Sequence, residues 1–469
     1  MEANIKLKAF RSGVFHAYDV RGRYPEELDL NTVELSALGF AEYLKWHQKK
    51  ELCLLGRDLR WSSEEISSVV RDALLSAGLD VLDVGVTTIP MFIFALAKKS
   101  AAGGIMVTAS HNLASFNGLK FYEETRSLHE FSGLQEIKNI VEGGKLQFSE
   151  SIGQIQKEDF TGAYLEFLTS GTALGRKVKA VFDAGGGTTG AILPLLVGKL
   201  GISAELLNLA PDPALIKRDP DPLMPLAQKS ARAALLKNKA AVGFIFDPDG
   251  DRIVVLDERG AVVRGDSILW LLSNSFVQAH DTVVSDLRAS RALYEDLEKK
   301  EIRVLVSRVG RSFIQDLMRQ EDAVLGGELS GHFYFKENFH SDSALLAAVK
   351  ILKVLSLFSQ TLSALIHPYE RYFYSGDINL AVADKDGALS ALYKKYDDGE
   401  KLYLDGLTVK YPKWWFNIRP SQTENLLRLV IEARDRRTFD EKKDELLAFL
   451  FGLGARLDSL ASSPSRSGH

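Results

Sequence analysis

Asp247-Pro248-Asp249-Gly250-Asp251-Arg252 constrains this chain more than any other stretch of its sequence. It lies between two apolar runs of strand character, Val242-Gly243-Phe244-Ile245-Phe246 and Ile253-Val254-Val255-Leu256. Three carboxylates at alternate positions on a tight Pro/Gly turn repel one another unless a cation lies among them. Hard oxygen ligands of this kind suit Mg²⁺ or Ca²⁺ rather than Zn²⁺. The arginine that follows adds phosphate to the picture, since phosphate partners both a metal and a guanidinium. Two plainer readings compete. In an EF-hand, Asp247, Asp249, Asp251 and Glu258 would take loop positions one, three, five and twelve. Arg252 stands where that loop needs its turn glycine, and the flanks are strand-like where an EF-hand has helices. The other reading is a solvated acidic turn with no ligand, which only residues elsewhere can decide.

At 469 residues the chain is too long for one hydrophobic core and implies about three or four domains. With 46% apolar and 26% charged residues it has the composition of a folded soluble protein. A formal net charge of −4 gives no support to a nucleic-acid or membrane partner. Cys53 is the only cysteine, so neither an intrachain disulfide nor a cysteine zinc site is available. No apolar signal core opens the chain and no run reaches membrane-spanning length, so a cytoplasmic protein is expected, as a monomer or homodimer.

Helical spacing covers Asn31 to Trp46, and Ser62-Ser63-Glu64-Glu65 resembles a capped helix start running to Leu75 and a stop at Gly78. Strands are expected at Leu79 to Val86, Gly104 to Thr108, Val178 to Phe182, Thr282 to Leu287 and Arg303 to Val306. A helical run is expected from Thr188 to Leu200, and a long amphipathic helix from Ser343 to Phe358. Strand and helix alternate through the first three quarters, which argues for α/β layers. After Pro368 the pattern becomes that of a separate α+β piece, with a strand at Leu426 to Ile431 and a final helix from about Phe439 to Phe451. The Ser-rich stretch Ser459 to His469 reads as a disordered tail. A strand followed by a polar loop recurs three times.

Ser110 directly follows a buried strand, which places its hydroxyl at the strand's C-terminal end, where ligands gather in open α/β sheets. Such a hydroxyl can be a nucleophile or, once phosphorylated, a phosphate store; the plain alternative is a turn or helix-cap serine. His111 and Asn112 share its turn, and Lys120 lies ten residues on. Gly326-Gly327-Glu328-Leu329-Ser330-Gly331-His332 carries a carboxylate, a hydroxyl and an imidazole, groups that can hold vicinal sugar hydroxyls or move a proton. Arg419-Pro420-Ser421-Gln422-Thr423-Glu424-Asn425 reads as a phosphate cradle or, more blandly, a charged connection. Gly185-Gly186-Gly187 has neither dinucleotide spacing nor a P-loop lysine.

Taken in order, Thr108-Ala109-Ser110-His111-Asn112, Asp247 to Arg252, Gly327 to His332 and Arg419 to Glu424 resemble the four signature loops of the α-D-phosphohexomutase family, and the resemblance spans nearly the whole chain. It implies three related α/β domains plus a C-terminal α+β domain around a central cleft. The boundaries are expected at 1–157, 158–256, 257–368 and 369–458, with 459–469 as the tail. It also implies interconversion of hexose 1-phosphates and 6-phosphates through a phosphoserine and a hexose 1,6-bisphosphate. Ser110 would be the phosphoserine and, with Asp247, Asp249 and Asp251, would hold one Mg²⁺. Arg252 would reach the same phosphate, while Lys120 would serve proton transfer and His111, in the Ser110 loop, would be a further catalytic residue. Glu328 and Ser330 would grip sugar hydroxyls, and His332 in Glu-Leu-Ser-Gly-His is similar to the mannose/glucose branch. Arg419, Ser421 and Thr423 would bind the non-reacting phosphate, and Tyr18 and Arg21 would line the cleft.

Pro248, Gln422 and Asn425 depart from the commonest forms of their loops. Arg288 and Arg311 stand about where some bacterial phosphomannomutases carry a lysine and a histidine, and a guanidinium fork is not a point charge. The expectation is a phosphomannomutase/phosphoglucomutase acting on small phosphosugars. A phosphoglucosamine mutase, another sugar-phosphate mutase and, less readily, a phosphatase are its rivals. A phosphatase would have to admit water to the phosphoserine, whereas a mutase must exclude it. A non-catalytic sugar-phosphate binder would have no use for the serine, lysine and aspartates together.

Overall fold

The computed structural model of this chain describes residues 10–458, apart from 49, 147 and 422–424. Thr423 and the stretch expected to form the tail therefore lie outside the described residues. Three sheets repeat one topology. In the first, Leu52–Arg57 lies between Asp80–Val86 and Gly103–Val107, all parallel, and Phe116–Glu123 folds back antiparallel on Gly103–Val107. In the second, Lys179–Asp183 lies between Ser203–Leu207 and Val242–Phe246, with Ile253–Leu256 folding back on the latter. In the third, Thr282–Asp286 lies between Arg303–Ser307 and Leu325–Gly327, and Phe333–Phe335 folds back. In every case the third strand runs into a polar loop and returns as a hairpin. The three polar loops noticed in the sequence are thus one structural position used three times.

Burial explains why these strands form. Gly103–Val107 and Val242–Phe246 are covered at every residue, as expected of strands with helices on both faces. One hydrophobic cluster runs through all three units, joining Phe92 and Phe94 of the helix Ile89–Lys99 to Phe182, Phe244, Leu293 and Leu352. The C-terminal unit is different. Its antiparallel sheet is centred on Trp414–Pro420 and Leu427–Ala433, has the helix Arg436–Gly452 against it, and keeps a core of its own. No helix among the described residues is long and apolar enough to cross a membrane.

Three local expectations need correction. The run from Thr188 to Leu200 is not one helix: a 3-10 turn, Thr188–Ala191, precedes the helix Leu193–Leu200. Thr188 spends both its N–H and its hydroxyl on the Pro248 carbonyl, at 2.9 and 3.0 Å, which tightens the chain before the helix can start. Ser62 does not cap the helix Ser63–Ser76; its hydroxyl instead accepts from Asn117 at 2.8 Å. The second sheet runs past 256, because Val262–Val263 pairs with Val255 and Leu256 across a turn.

Candidate active site

The loop after Gly103–Val107 carries Ser110 in a left-handed backbone conformation, φ 50°, that costs a residue with a β-carbon about 1–2 kcal/mol. Its surroundings hold it there. The Ser110 N–H donates to the Thr108 hydroxyl at 2.9 Å, and the Ser110 hydroxyl lies 3.3 Å from both Asp247 Oδ2 and His111 Nδ1. Burial, then Arg252 and Arg21, push the His111 imidazole well below its ordinary pKa, so it is neutral. Arg21 reaches the same loop, donating to Asn112 Oδ1 at 2.8 Å and pairing with Asp19.

Opposite this loop, Asp247, Asp249 and Asp251 are fully buried, and one oxygen from each lies within 4.8 Å of the others. Gly250, at φ 73°, allows the turn that brings them together. Their neighbours are Lys120, whose Nζ donates to Asp249 at 3.1 Å and Asp251 at 3.3 Å, and Arg252, which donates to Asp247 at 3.2 Å. Burial raises Asp247 well above the ordinary carboxylate range, and Asp251 and Asp249 push it further. Burial alone would also raise Asp251, but Lys120, with His332 and Arg311, holds it low. Burial would lower Lys120, yet Asp249 and Asp251 keep it charged. Asp249 Oδ1 and Asp251 Oδ1 are buried with no hydrogen-bond partner among the described residues. Three carboxylates facing two cations, with oxygens left unpaired, are what a divalent cation would satisfy, so the residues fit a hard metal ion.

The second sheet props this loop from behind. Arg218 donates to the Phe246 carbonyl just before Asp247, and Gly187 packs so closely that a β-carbon there would come within 2.5 Å of the Pro248 oxygen. The triple-glycine turn thus buttresses the acid loop. From the first unit, Ile89 N–H, at the start of the helix Ile89–Lys99, donates to the Asp249 carbonyl at 2.9 Å, and the Thr108 hydroxyl lies 3.2 Å from Asp249 Oδ2.

The third loop joins the second directly. Ile253 N–H donates to the Gly331 carbonyl at 3.0 Å, forming an isolated bridge between Arg252 and His332. His332 Nδ1 sits 2.9 Å from Asp342 Oδ2 and 3.9 Å from Asp251 Oδ1. Asp251, His332 and Asp342 are close enough to hold a second metal. Arg311, however, grips Asp342 with two donors at 2.7 and 2.8 Å, so that carboxylate is already balanced. Arg311 also reaches Tyr122 Oη at 3.2 Å, which spends its fork on the joint between the first and third units. Glu328 is buried and accepts from the Tyr334 hydroxyl, while the buried Ser330 hydroxyl has no partner among the described residues. Tyr18 packs edge-on against Phe313 at 5.8 Å, and burial, then Glu328 and Asp405, raise its phenol.

At the far end, Arg419 and Arg288 meet on one carboxylate. Asp377 Oδ1 accepts from Arg419 at 3.1 Å and Asp377 Oδ2 from Arg288 at 3.0 Å. Ser421 closes the hairpin mouth, its N–H donating to the Leu426 carbonyl at 2.9 Å. The structure thus brings Ser110, His111, Lys120, Arg252, His332 and the three aspartates into one buried cluster, and sets Arg288, Arg419 and Ser421 apart from it. Asp58, Arg60, Arg218, Asp342 and Asp377 were not singled out from the sequence. Only Asp58 and Arg60 had a signal there: Asp58-Leu59-Arg60 recurs as Asp286-Leu287-Arg288.

Comparison with known proteins accounts for the repeated units. Residues 12–147, 162–260 and 264–372 match alpha/beta/alpha domains I, II and III of phosphoglucomutase/phosphomannomutase, and 378–449 match its C-terminal domain. The chain is 35% identical over 454 residues to a phosphomannomutase of Methanocaldococcus jannaschii, covering 95% of this chain and 99% of the relative. It is 30% identical to a phosphomannomutase of Salmonella typhimurium, covering 93% and 98%. A crystal structure of a phosphoglucomutase/phosphomannomutase family protein from Burkholderia thailandensis superposes with a TM-score of 0.88 at 26% identity, over 96% of this chain and 99% of that one. With all four domains matched in order, the chain belongs to the phosphoglucomutase/phosphomannomutase family of mutases.

Proposed function

We propose that this mutase interconverts hexose 1-phosphates and hexose 6-phosphates, with mannose and glucose as its sugars, through a phosphoserine at Ser110. One observation carries the reading: the Ser110 hydroxyl lies 3.3 Å from Asp247 in a buried three-aspartate cluster whose free oxygens fit a metal ion. We take that ion to be Mg²⁺, held by Asp247, Asp249, Asp251 and an oxygen of the phosphorylated Ser110. When bound, it offsets the charge on the phosphoryl group in transfer.

The chain's own residues supply the rest. The phosphoryl group leaves Ser110 Oγ for a sugar hydroxyl, giving a hexose 1,6-bisphosphate, whose other phosphate later returns to Ser110. Neutral His111 would take the proton that the attacking hydroxyl gives up, and charged Lys120 would return one to the serine oxygen. Arg252 and Arg21 face the transferred group. Glu328 and Ser330 would hold sugar hydroxyls, with His332 and Tyr18 beside them and Arg311 fixing the wall through Asp342. Arg288, Arg419, Ser421 and Thr423 would hold the phosphate that is not reacting. Burial around Ser110 keeps water from intercepting the phosphoenzyme, which favours a mutase over a phosphatase. Coupled assays on mannose, glucose and glucosamine 1-phosphates test the reading. Mannose and glucose should be turned over at comparable kcat/KM. A clear preference for glucosamine would replace the sugar assignment, and no turnover of any of them would contradict the function.

A further inference from the structure

Arg60 is buried, only 3% exposed, yet it reaches neither the acid cluster nor the sugar loop. All five of its side-chain N–H groups are spent. Nε donates to Asp58 Oδ2 at 3.1 Å. Nη1 donates to the carbonyls of Leu113 and Phe116 at 2.7 and 3.0 Å, and Nη2 to those of Ser110 and Asn112 at 2.6 and 2.7 Å. One planar fork therefore gathers four carbonyls from the loop that carries Ser110. Four carbonyl oxygens turned toward one buried point repel each other without it, and a lysine offers three donors with no plane to match them.

Asp58 extends the same network. It accepts from the Arg60 N–H at 3.0 Å and from the Ser63 hydroxyl, while its Oδ2 accepts from the Thr108 hydroxyl at 2.8 Å. That hydroxyl oxygen in turn accepts the Ser110 N–H at 2.9 Å. Both backbone polar groups of Ser110, its N–H and its carbonyl, are thus tied to the Asp58–Arg60 pair. Ser110 sits at φ 50°, a conformation the surrounding bonds must impose.

We infer that Arg60 is a positioning residue for the phosphoryl donor, fixing Ser110 against the acid cluster and acting on the chemical step rather than on sugar binding. The inference rests on Ser110 being the donor. The test compares Arg60→Lys, Asp58→Asn and Ser110→Ala with the parent enzyme, measuring kcat, KM for mannose 1-phosphate and the thermal midpoint. Displacing a reacting group by an ångström costs about 100-fold in rate, so Arg60→Lys should lose about that much kcat while KM stays within about threefold. A folded Arg60→Lys with the parent kcat, or with a raised KM and unchanged kcat, overturns the inference. Should Arg60→Lys fail to fold, Asp58→Asn decides on the same split, because it keeps the shape while removing the anchoring charge and one of the two acceptor oxygens. Ser110→Ala separates the two failures. If it stays active, the donor assignment falls and the inference with it; if it is dead while Arg60→Lys is fully active, the inference alone falls.

Discussion

Asp58-Leu59-Arg60 and Asp286-Leu287-Arg288 end corresponding strands, Leu52–Arg57 in the first sheet and Thr282–Asp286 in the third. Both arginines donate their backbone N–H and Nε to the aspartate two residues before. Beyond that they part. Arg60 turns its remaining donors onto the Ser110 loop of its own sheet, whereas Arg288 points Nη1 out to Asp377 beside Arg419 in the C-terminal unit. The same turn thus stiffens a loop at one end of the molecule and presents a donor across a joint at the other. The contrast extends to the surroundings: the Ser110 end is buried and shared among three units with one continuous core, while the Arg419 end belongs to a unit with its own core. If the Ser110 end reacts and the Arg419 end holds the other phosphate, as proposed, damage to the first should lower kcat and damage to the second should raise KM.

The harshest challenge to this contrast is Asp249→Asn. It removes charge from the acid cluster without changing its size, and kcat should fall by about 1,000-fold, the scale of losing a key charge-stabilising group. With Mg²⁺ removed, the variant should melt no lower than the parent, because one of three crowded carboxylates is gone; an unaltered response to Mg²⁺ would break the account of this end. At the opposite end, Arg419→Ala removes a charge-assisted contact of about 1.5–3 kcal/mol. KM should rise by about 10- to 100-fold with little change in kcat, and initial-rate kinetics showing a fall in kcat alone would merge the two ends. Arg288→Lys keeps the charge but loses the fork. It should raise KM by about threefold to tenfold, a milder echo of Arg419→Ala.

The smallest effect concerns how the first and third units are pinned together. Asp316 accepts from Arg126 at 2.8 and 2.9 Å and lies 2.9 Å from His129 Nε2. Burial would raise it, but the His129 and Arg126 hydrogen bonds bring its pKa down to about 2. A depressed carboxylate adds stability above its unfolded pKa of about 4, and loses it as pH falls toward 2. Allowing for solvent on its exposed side, Asp316→Asn should cost about 1–2 kcal/mol at pH 7. In denaturant titrations the gap from the parent should narrow between pH 4 and about 2.5; a constant gap would show that charge is not what holds this joint.

What the sequence revealed depended on how local the chemistry was. Asp247 to Arg252 carries its three carboxylates, its turn residues and its strand flanks within one short segment, and the expected strands Val242–Phe246 and Ile253–Leu256 are the observed ones. Ser110 was legible for the same reason, since the buried strand before it fixes where its hydroxyl emerges. Asp342 and Asp377 carry no such mark. Each matters through partners on other elements, His332 and Arg311 for one and Arg288 and Arg419 for the other, and no local pattern encodes that meeting. The Thr188 break was hidden likewise, because the Pro248 carbonyl that tightens the turn comes from a loop far along the chain. Ser62 looked like a helix cap because helix-start chemistry is also hydrogen-bond chemistry, and Asn117 claimed its hydroxyl first.

The account stands on Ser110 as the phosphate carrier, and phosphopeptide mapping of the purified protein reads this most directly. The peptide containing Ser110 should carry phosphate, lose it on mixing with hexose 1-phosphate under single-turnover conditions, and regain it as bisphosphate turns over. Ser110→Ala should show neither phosphate nor mutase turnover. Phosphate on another residue with Ser110 unmodified, or a Ser110→Ala variant that turns over like the parent, would contradict the account.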